Sequence, residues 1–149
     1  MGDMAAVCEK KVLDHVNGKT TYTFVTDGCF IGLCTNATPG DPTMATPGTF
    51  TELTLATFGY ARQQITGANW AVATQATTAP SSAASAATIT FGPCSGTNWG
   101  TCYGFGQFET SAGAAATFMR YWGTLSSSVT INVGDQLQIT SGNYTLTLN

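Results

Sequence analysis

Hydrophobic residues near the N-terminus recur with the spacing of a helix. Asp3 is a favourable N-cap, and Asn17-Gly18 is a common way for a helix to end. The pattern therefore predicts an amphipathic helix over residues 3–17, whose apolar face needs a cover, either the sheet or another subunit. The residues that repeat every fourth position on this face are Met4, Cys8, Val12 and Val16.

From residue 21 onward the helical spacing gives way to the alternation of β-strands. Short alternating runs are separated by Gly, Pro, Asn and Asp, which favour turns. About eight or nine such strands predict a mainly β fold, an antiparallel β-sandwich with one N-terminal helix. The predicted runs are 21–25, 29–35, 88–91, 101–109, 117–122, 129–133, 137–139 and 144–148, with 51–55 as a further candidate.

Two segments interrupt the strands and are predicted to be long loops. Residues 36–50 contain Pro39, Pro42 and Pro47, each with a fixed φ and no N–H to donate. Residues 75–87 consist mostly of Ala, Ser and Thr, with little to bury. The chain of 149 residues is long enough for one core, so we expect a single domain over 1–149.

A central stretch, 58–70, contains the only arginine in the first two thirds of the chain. Gly59 gives the backbone freedom before an alternating run in which Tyr60 and Arg62 share a face. Arg120 also has aromatic neighbours, so either guanidinium could stack on a ring while partly buried. For both arginines two interpretations stay open, an ion pair within the chain with Glu52 or Glu109, or a contact between subunits. The predicted subunit-interface residues are Met4, Cys8, Val12, Tyr60, Arg62 and Arg120.

The small fraction of charged residues and the negative net charge limit the kinds of partner expected for this chain. Charged residues make up 9% of the sequence, against roughly 25% in soluble domains. Such a surface suits a subunit that covers much of its exterior with neighbours. The net charge of −3 argues against a nucleic-acid partner, and no apolar run is long enough for a membrane helix. Glu9 and Lys10 lie where a signal peptide would have its apolar core, so synthesis in a cytoplasm is expected.

Residues with catalytic or binding chemistry are few. The one histidine, His15, lies in the predicted helix, and Glu52 and Glu109 are a candidate glycosidase pair only if the fold brings them together. We therefore predict no enzyme activity, no cofactor and no metal. The five cysteines do not have zinc-site spacing and are predicted to be buried thiols. Three tryptophans and five tyrosines leave open a carbohydrate- or receptor-binding module, although such aromatics more commonly fill a core.

The order of motifs resembles a family of small tailed-bacteriophage virion proteins, usually labelled phage tail fibre proteins. The resemblance covers nearly the whole chain. It rests on the helix that ends in His15-Val16-Asn17-Gly18, FIGLCT at 30–35, GYARQQIT at 59–66, WGTCYGFGQFET at 99–110, FMRYWGTLSSSVTINVGDQLQIT at 118–140 and YTLTL at 144–148.

This resemblance implies a non-enzymatic structural protein of the virion. A domain this small and without a fibrous repeat fits either a tail fibre or a decoration of the capsid. The expected partners are further copies of the chain, with a trimer expected by analogy with other virion surface proteins, and the major capsid protein or tail proteins. The expected location is the virion, after synthesis in the host cytoplasm.

Overall fold

A computed structural model describes residues 2–21, 28–40, 49–73 and 81–148. Two helices are present in these ranges, α1 at Ala6–Val16 and the short α2 at Ala115–Phe118, with a 3₁₀ turn at Gly67–Asn69. The strands are β1 Gly2–Met4, β2 Cys29–Cys34, β3 Gln63–Ile65, β4 Ser81–Ala84, β5 Ile89–Phe91, β6 Gly100–Phe108, β7 Met119–Ile131, β8 Leu137–Ile139 and β9 Thr145–Leu148.

The strands form three antiparallel sheets. Five strands make the main sheet in the order β1-β7-β6-β2-β3, and two ribbons are formed by β4 with β9 and by β5 with β8. The largest hydrophobic cluster joins the main sheet to both ribbons, because it contains Ile31 of β2, Phe91 of β5 and Leu146 of β9. The prediction of a mainly antiparallel β fold with layered sheets and a helix near the N-terminus is confirmed.

Strand β2 separates two hydrophobic clusters. Ile31 and Leu33 belong to the cluster shared with the ribbons. Cys34 belongs to a second, smaller cluster together with Phe108 of β6 and Ala5, just before α1. Successive side chains of a strand point to opposite faces, so β2 is covered on both sides. A strand that is covered on both faces has an almost continuous run of apolar residues, and the sequence of β2, CFIGLC, is such a run.

The N-terminal helix begins later than predicted. Residues 2–4 are extended and pair with β7, with Met4 opposite Tyr121, so Asp3 is not the N-cap and Met4 is not helical. The Ala5 N–H donates to the carbonyl of Arg120, which prolongs the strand pairing to the residue just before the helix. Strand pairing with β7 thus overrides the helical spacing of the first residues. Cys8 is buried, Val12 is half-buried and Val16 is exposed.

Several predicted strand boundaries are corrected. Residues 119–122 and 129–131 of the predicted runs 117–122 and 129–133 belong to a single strand, β7, whereas residues 115–118 form α2. Residues 81–84, predicted to belong to a loop, form β4, because β9 provides a partner for a segment with little hydrophobic signal. The candidate strand 51–55 is reduced to a single bridge between Glu52 and Cys34. Most of the predicted strand 21–25, and parts of the loops 36–50 and 75–87, lie outside the described residues.

Candidate functional site

Arg62 occupies a buried site between the loop before β3 and two distant turns. Its Nε and Nη2 atoms donate to Oε1 and Oε2 of Glu52 at 2.8 and 2.6 Å. Nη1 and Nη2 also donate to the carbonyl oxygens of Thr110 and Gly113 at 2.9 and 2.8 Å. The guanidinium carbon lies 3.5 Å from the centroid of the Phe108 ring. The interpretation of Arg62 as an intrachain partner of Glu52 is therefore confirmed.

The backbone of β2 leaves room for this ion pair. A Cβ atom at Gly32 would lie 2.5 Å from Oε1 of Glu52 and 3.1 Å from the hydroxyl oxygen of Tyr60. The Leu33 N–H donates to that hydroxyl at 2.8 Å, and the hydroxyl donates to Glu52 at 3.1 Å. Burial, followed by the negative charge of Glu52, raises the pKa of Tyr60 far above its usual value. Tyr60 therefore stays protonated and acts as a hydrogen-bond donor.

Arg120 lies in a second charged cluster, beside helix α1. Lys11 donates to both carboxylate oxygens of Glu109, at 2.7 and 2.8 Å. Arg120 approaches the same carboxylate more distantly, with 3.7 Å between Nε and Oε1. Arg120 is 8% exposed, and neither Nε nor Nη2 has a hydrogen-bond partner within the described ranges. This cluster attaches α1 to the end of β6 and the start of β7.

Polar side chains also lie within the core near this cluster. The Tyr144 hydroxyl donates to Oε1 of Gln107 at 3.1 Å, and both residues are buried. Burial raises the pKa of the Cys29 thiol to about 11, although the positive charge of Arg120 opposes the shift. Burial also raises the pKa of Cys102 to about 11. Both thiols are therefore neutral at pH 7, and all five cysteines are buried and free, as predicted.

An open groove of about 570 Å³ lies between the second half of β7 and the segment from β8 to β9. Its floor includes Phe105 and Tyr144, and its walls include Leu125, Val129 and Ile139. Apart from Leu137, the remaining lining residues have hydroxyl or amide side chains, and no lining residue has a charge. The sequence prediction missed this groove, although the uncharged run from Tyr121 to Gly134 gave a partial signal.

A family model described as Podophage GP4 fiber I protein gp80 matches residues 3–147. The chain belongs to this family. No curated protein matches the sequence. The ion pairs, the buried polar side chains and the groove all lie within the matched part of this fibre-family chain. The family match confirms the resemblance to phage tail fibre proteins that the sequence motifs predicted.

The predicted interface residues of this fibre-family protein lie in different places. Tyr60 and Arg62 are buried in the chain, at 1% and 5% exposure, and so is Arg120. Their burial results from contacts within one copy. The structure does not bring the six predicted residues together into one exposed surface. Whether any of the six residues contacts another subunit stays a prediction.

The acids and aromatics of the fibre-family chain have structural partners. Glu52 is bound by Arg62, and Glu109 by Lys11, so the two carboxylates serve separate ion pairs. Tyr60 packs against Trp99 and Phe91 inside the core, which accounts for much of the aromatic content. Within the described ranges, no group of His, Cys, Asp and Glu could hold a metal ion. No helix in those ranges is long and apolar enough to cross a membrane.

Proposed function

We propose that this chain is a non-enzymatic structural subunit of a tailed-phage particle. It is exposed on the particle surface as part of a tail-associated fibre and is present as a symmetric homo-oligomer. The observation that carries the proposal is the match to a podophage fibre family over residues 3–147. Because that match covers the fold and both charged clusters, it applies to the whole domain and not to one motif.

The internal chemistry of the chain supports a structural role. Both of the candidate catalytic acids neutralise a buried or half-buried cation within the chain. The buried arginine is held by four hydrogen bonds, an arrangement that makes the connected loops rigid. The fraction of charged residues, 9%, fits a subunit that packs against other virion chains.

Analysis of purified particles tests this function. Mass spectrometry of gradient-purified virions should find the chain, and its absence would remove the proposal. Immunogold labelling should place it at the tail, and its copy number should be far below that of the major capsid protein. Labelling over the whole shell at a fixed ratio to the major capsid protein would identify a capsid decoration instead.

A further inference from the structure

The outer edge of β7 is the longest open strand edge in the described ranges. β1 pairs with β7 only from Tyr121 to Gly123, so residues 124–131 have no paired strand on the side opposite β6 among the residues that the structure describes. The other edge strands are β1 and β3 in the main sheet, and each has three residues. Short edges are a common protection against unwanted pairing, and residues 124–131 do not have this protection.

The same edge is incompletely paired on its inner side. The register with β6 goes from Thr124, opposite Gly104, directly to Val129, opposite Cys102. Residues 125–128 thus have no residue opposite them in β6. Ser126, Ser127 and Ser128 are exposed. Because residues 125–128 have no ladder partner among the described residues, their backbone N–H and C=O groups can pair with a strand that approaches from outside.

Nothing along this edge repels a second strand. No charged residue and no proline lies between Tyr121 and Gly134, whereas natural edges are commonly protected by lysine, by proline or by inward-pointing charges. The groove next to the edge has half-buried apolar walls at Leu125, Val129 and Ile139. An added strand would cover these walls and close the open side between the main sheet and the ribbons.

We propose that residues 124–131 form the interface with a second copy of this chain, whose own β7 edge adds as an antiparallel strand. The proposal deepens the proposed function, on which it rests, by naming the surface through which copies associate. An uncharged edge is complementary to itself, since an antiparallel copy turned about a two-fold axis places each donor near an acceptor and brings no like charges together. The contact predicts an even number of copies. The trimer expected by analogy would need a different surface.

Other occupants fit the groove less well. A sugar is commonly held against the exposed face of an aromatic ring, but the aromatic residues of the groove, Phe105 and Tyr144, are buried in the core. An anionic or cationic ligand would find no opposite charge among the lining residues. Strand addition uses the backbone of residues 125–128, which neither of those ligands needs.

Lysine substitution at the edge tests the proposal. Ser127→Lys places like charges near each other across the two-fold axis and should weaken association by about tenfold or more. Sedimentation velocity should show a dimer or a larger even assembly of the 15.5 kDa chain, and a monomer for the variant. Ser126→Lys provides a second variant, and Thr97→Lys, in an exposed loop away from the groove, is the matched control. Thermal unfolding checks that each variant folds.

Hydrogen exchange locates the contact. Amides of residues 124–131 should be protected in the parent protein and exchange rapidly in Ser127→Lys. A monomeric parent, a trimer, or a Ser127→Lys variant that associates like Thr97→Lys would overturn the proposal. Protection of the groove by a soluble neutral oligosaccharide without a change in mass would also overturn it and assign a sugar site. Mass spectrometry of purified particles distinguishes failure of this interface from failure of the proposed function. If the chain is found in virions and its Ser127→Lys variant still associates, the proposed function holds and the copies associate through another interface.

Discussion

A buried guanidinium is stable when its N–H groups find acceptors and its charge finds a counterion. Arg62 meets both conditions inside one chain, through Glu52 and through the carbonyls of Thr110 and Gly113. Phe108 covers the flat face of the same group. Because these partners come from two separate parts of the sequence, near residue 52 and at 108–113, Arg62 links them in a way that no local spacing indicates.

Arg62→Ala should destabilise the folded chain strongly. The substitution leaves the Glu52 carboxylate, whose side chain is 12% exposed, without its cation. Loss of one partner of a buried ion pair costs about 3–5 kcal/mol, and each kcal/mol lowers Tm by about 2–4 °C in a domain of this size. Lys10→Ala, which removes an exposed pair with Asp14, is the control and should cost below about 1 kcal/mol. Urea unfolding measures both, and similar losses would contradict the assignment of Arg62 as an internal support.

The buried thiols make stability depend on alkaline pH. A cysteine thiol ordinarily has a pKa of 9.0, and burial raises the pKa of Cys29 and of Cys102 to about 11 in the folded chain. The unfolded chain therefore releases these protons first, so the contribution of the two thiols to the free energy of unfolding is fully present well below pH 9 and is lost as the pH rises toward 11. Urea unfolding under reducing conditions should show this slope from about pH 9 to 10, and Cys29→Ala with Cys102→Ala should reduce it. An unchanged slope in the double variant would show that other groups cause it.

Among the elements, β2 shows most clearly how the fold makes room for the charged site. Gly32 lies opposite Gly106 in the register of β2 and β6, so two side chains are missing at adjacent positions. A Cβ at Gly106 would lie 2.9 Å from the rings of Phe50 and Phe108. The rings and the Glu52 carboxylate occupy the space that the two glycines leave, which places Phe108 directly under Arg62.

Gly32→Ala should therefore disturb the ion pair between Glu52 and Arg62. The new methyl group would displace the Glu52 carboxylate, and overpacking of this kind costs about 1–3 kcal/mol. Gly67→Ala is a suitable control, because a Cβ at that position meets no atom within 4 Å. Thermal unfolding of the two variants gives the comparison. Equal Tm values would mean that the site adapts without cost.

The sequence predicts the strands whose own pattern of apolar and aromatic residues agrees with the strand pairing in the fold. Strands β5, β6 and β8 lie where alternation or aromatic content predicts them. The start of α1 could not be predicted, because β7 draws residues 2–4 into the sheet. Strand β4 could not be predicted either, because its Ser and Ala residues have no strand pattern and depend on β9. For Arg62 the sequence left open an ion pair with Glu52 or Glu109 or a contact between subunits, and only the fold selects Glu52. The carbonyls of Thr110 and Gly113 carry no side-chain signal.

At the scale of the whole molecule, the few charged residues are used mainly in contacts within the chain. Two of the five cations, Arg62 and Arg120, are buried, and Lys11 is bound to Glu109. The exposed surface therefore consists largely of uncharged Ser, Thr, Asn and Gly. For a member of a podophage fibre family, such a surface favours contacts made by backbone groups and shape over contacts made by ion pairs.

The placement of the cations also determines how the folded chain responds to digestion. Trypsin cleaves after lysine and arginine, and those residues are Lys10, Lys11, Lys19, Arg62 and Arg120. The last two are buried, whereas Lys10 and Lys19 are exposed in and just after α1. Because proteolysis needs an accessible backbone, trypsin should remove only the N-terminal residues and leave one resistant fragment from Thr20 to Asn149. Mass spectrometry of a timed digest checks this, and early cleavage at Arg62 would contradict it. The protein would then keep strands β2 to β9 on one unbroken fragment in an environment rich in trypsin-like proteases.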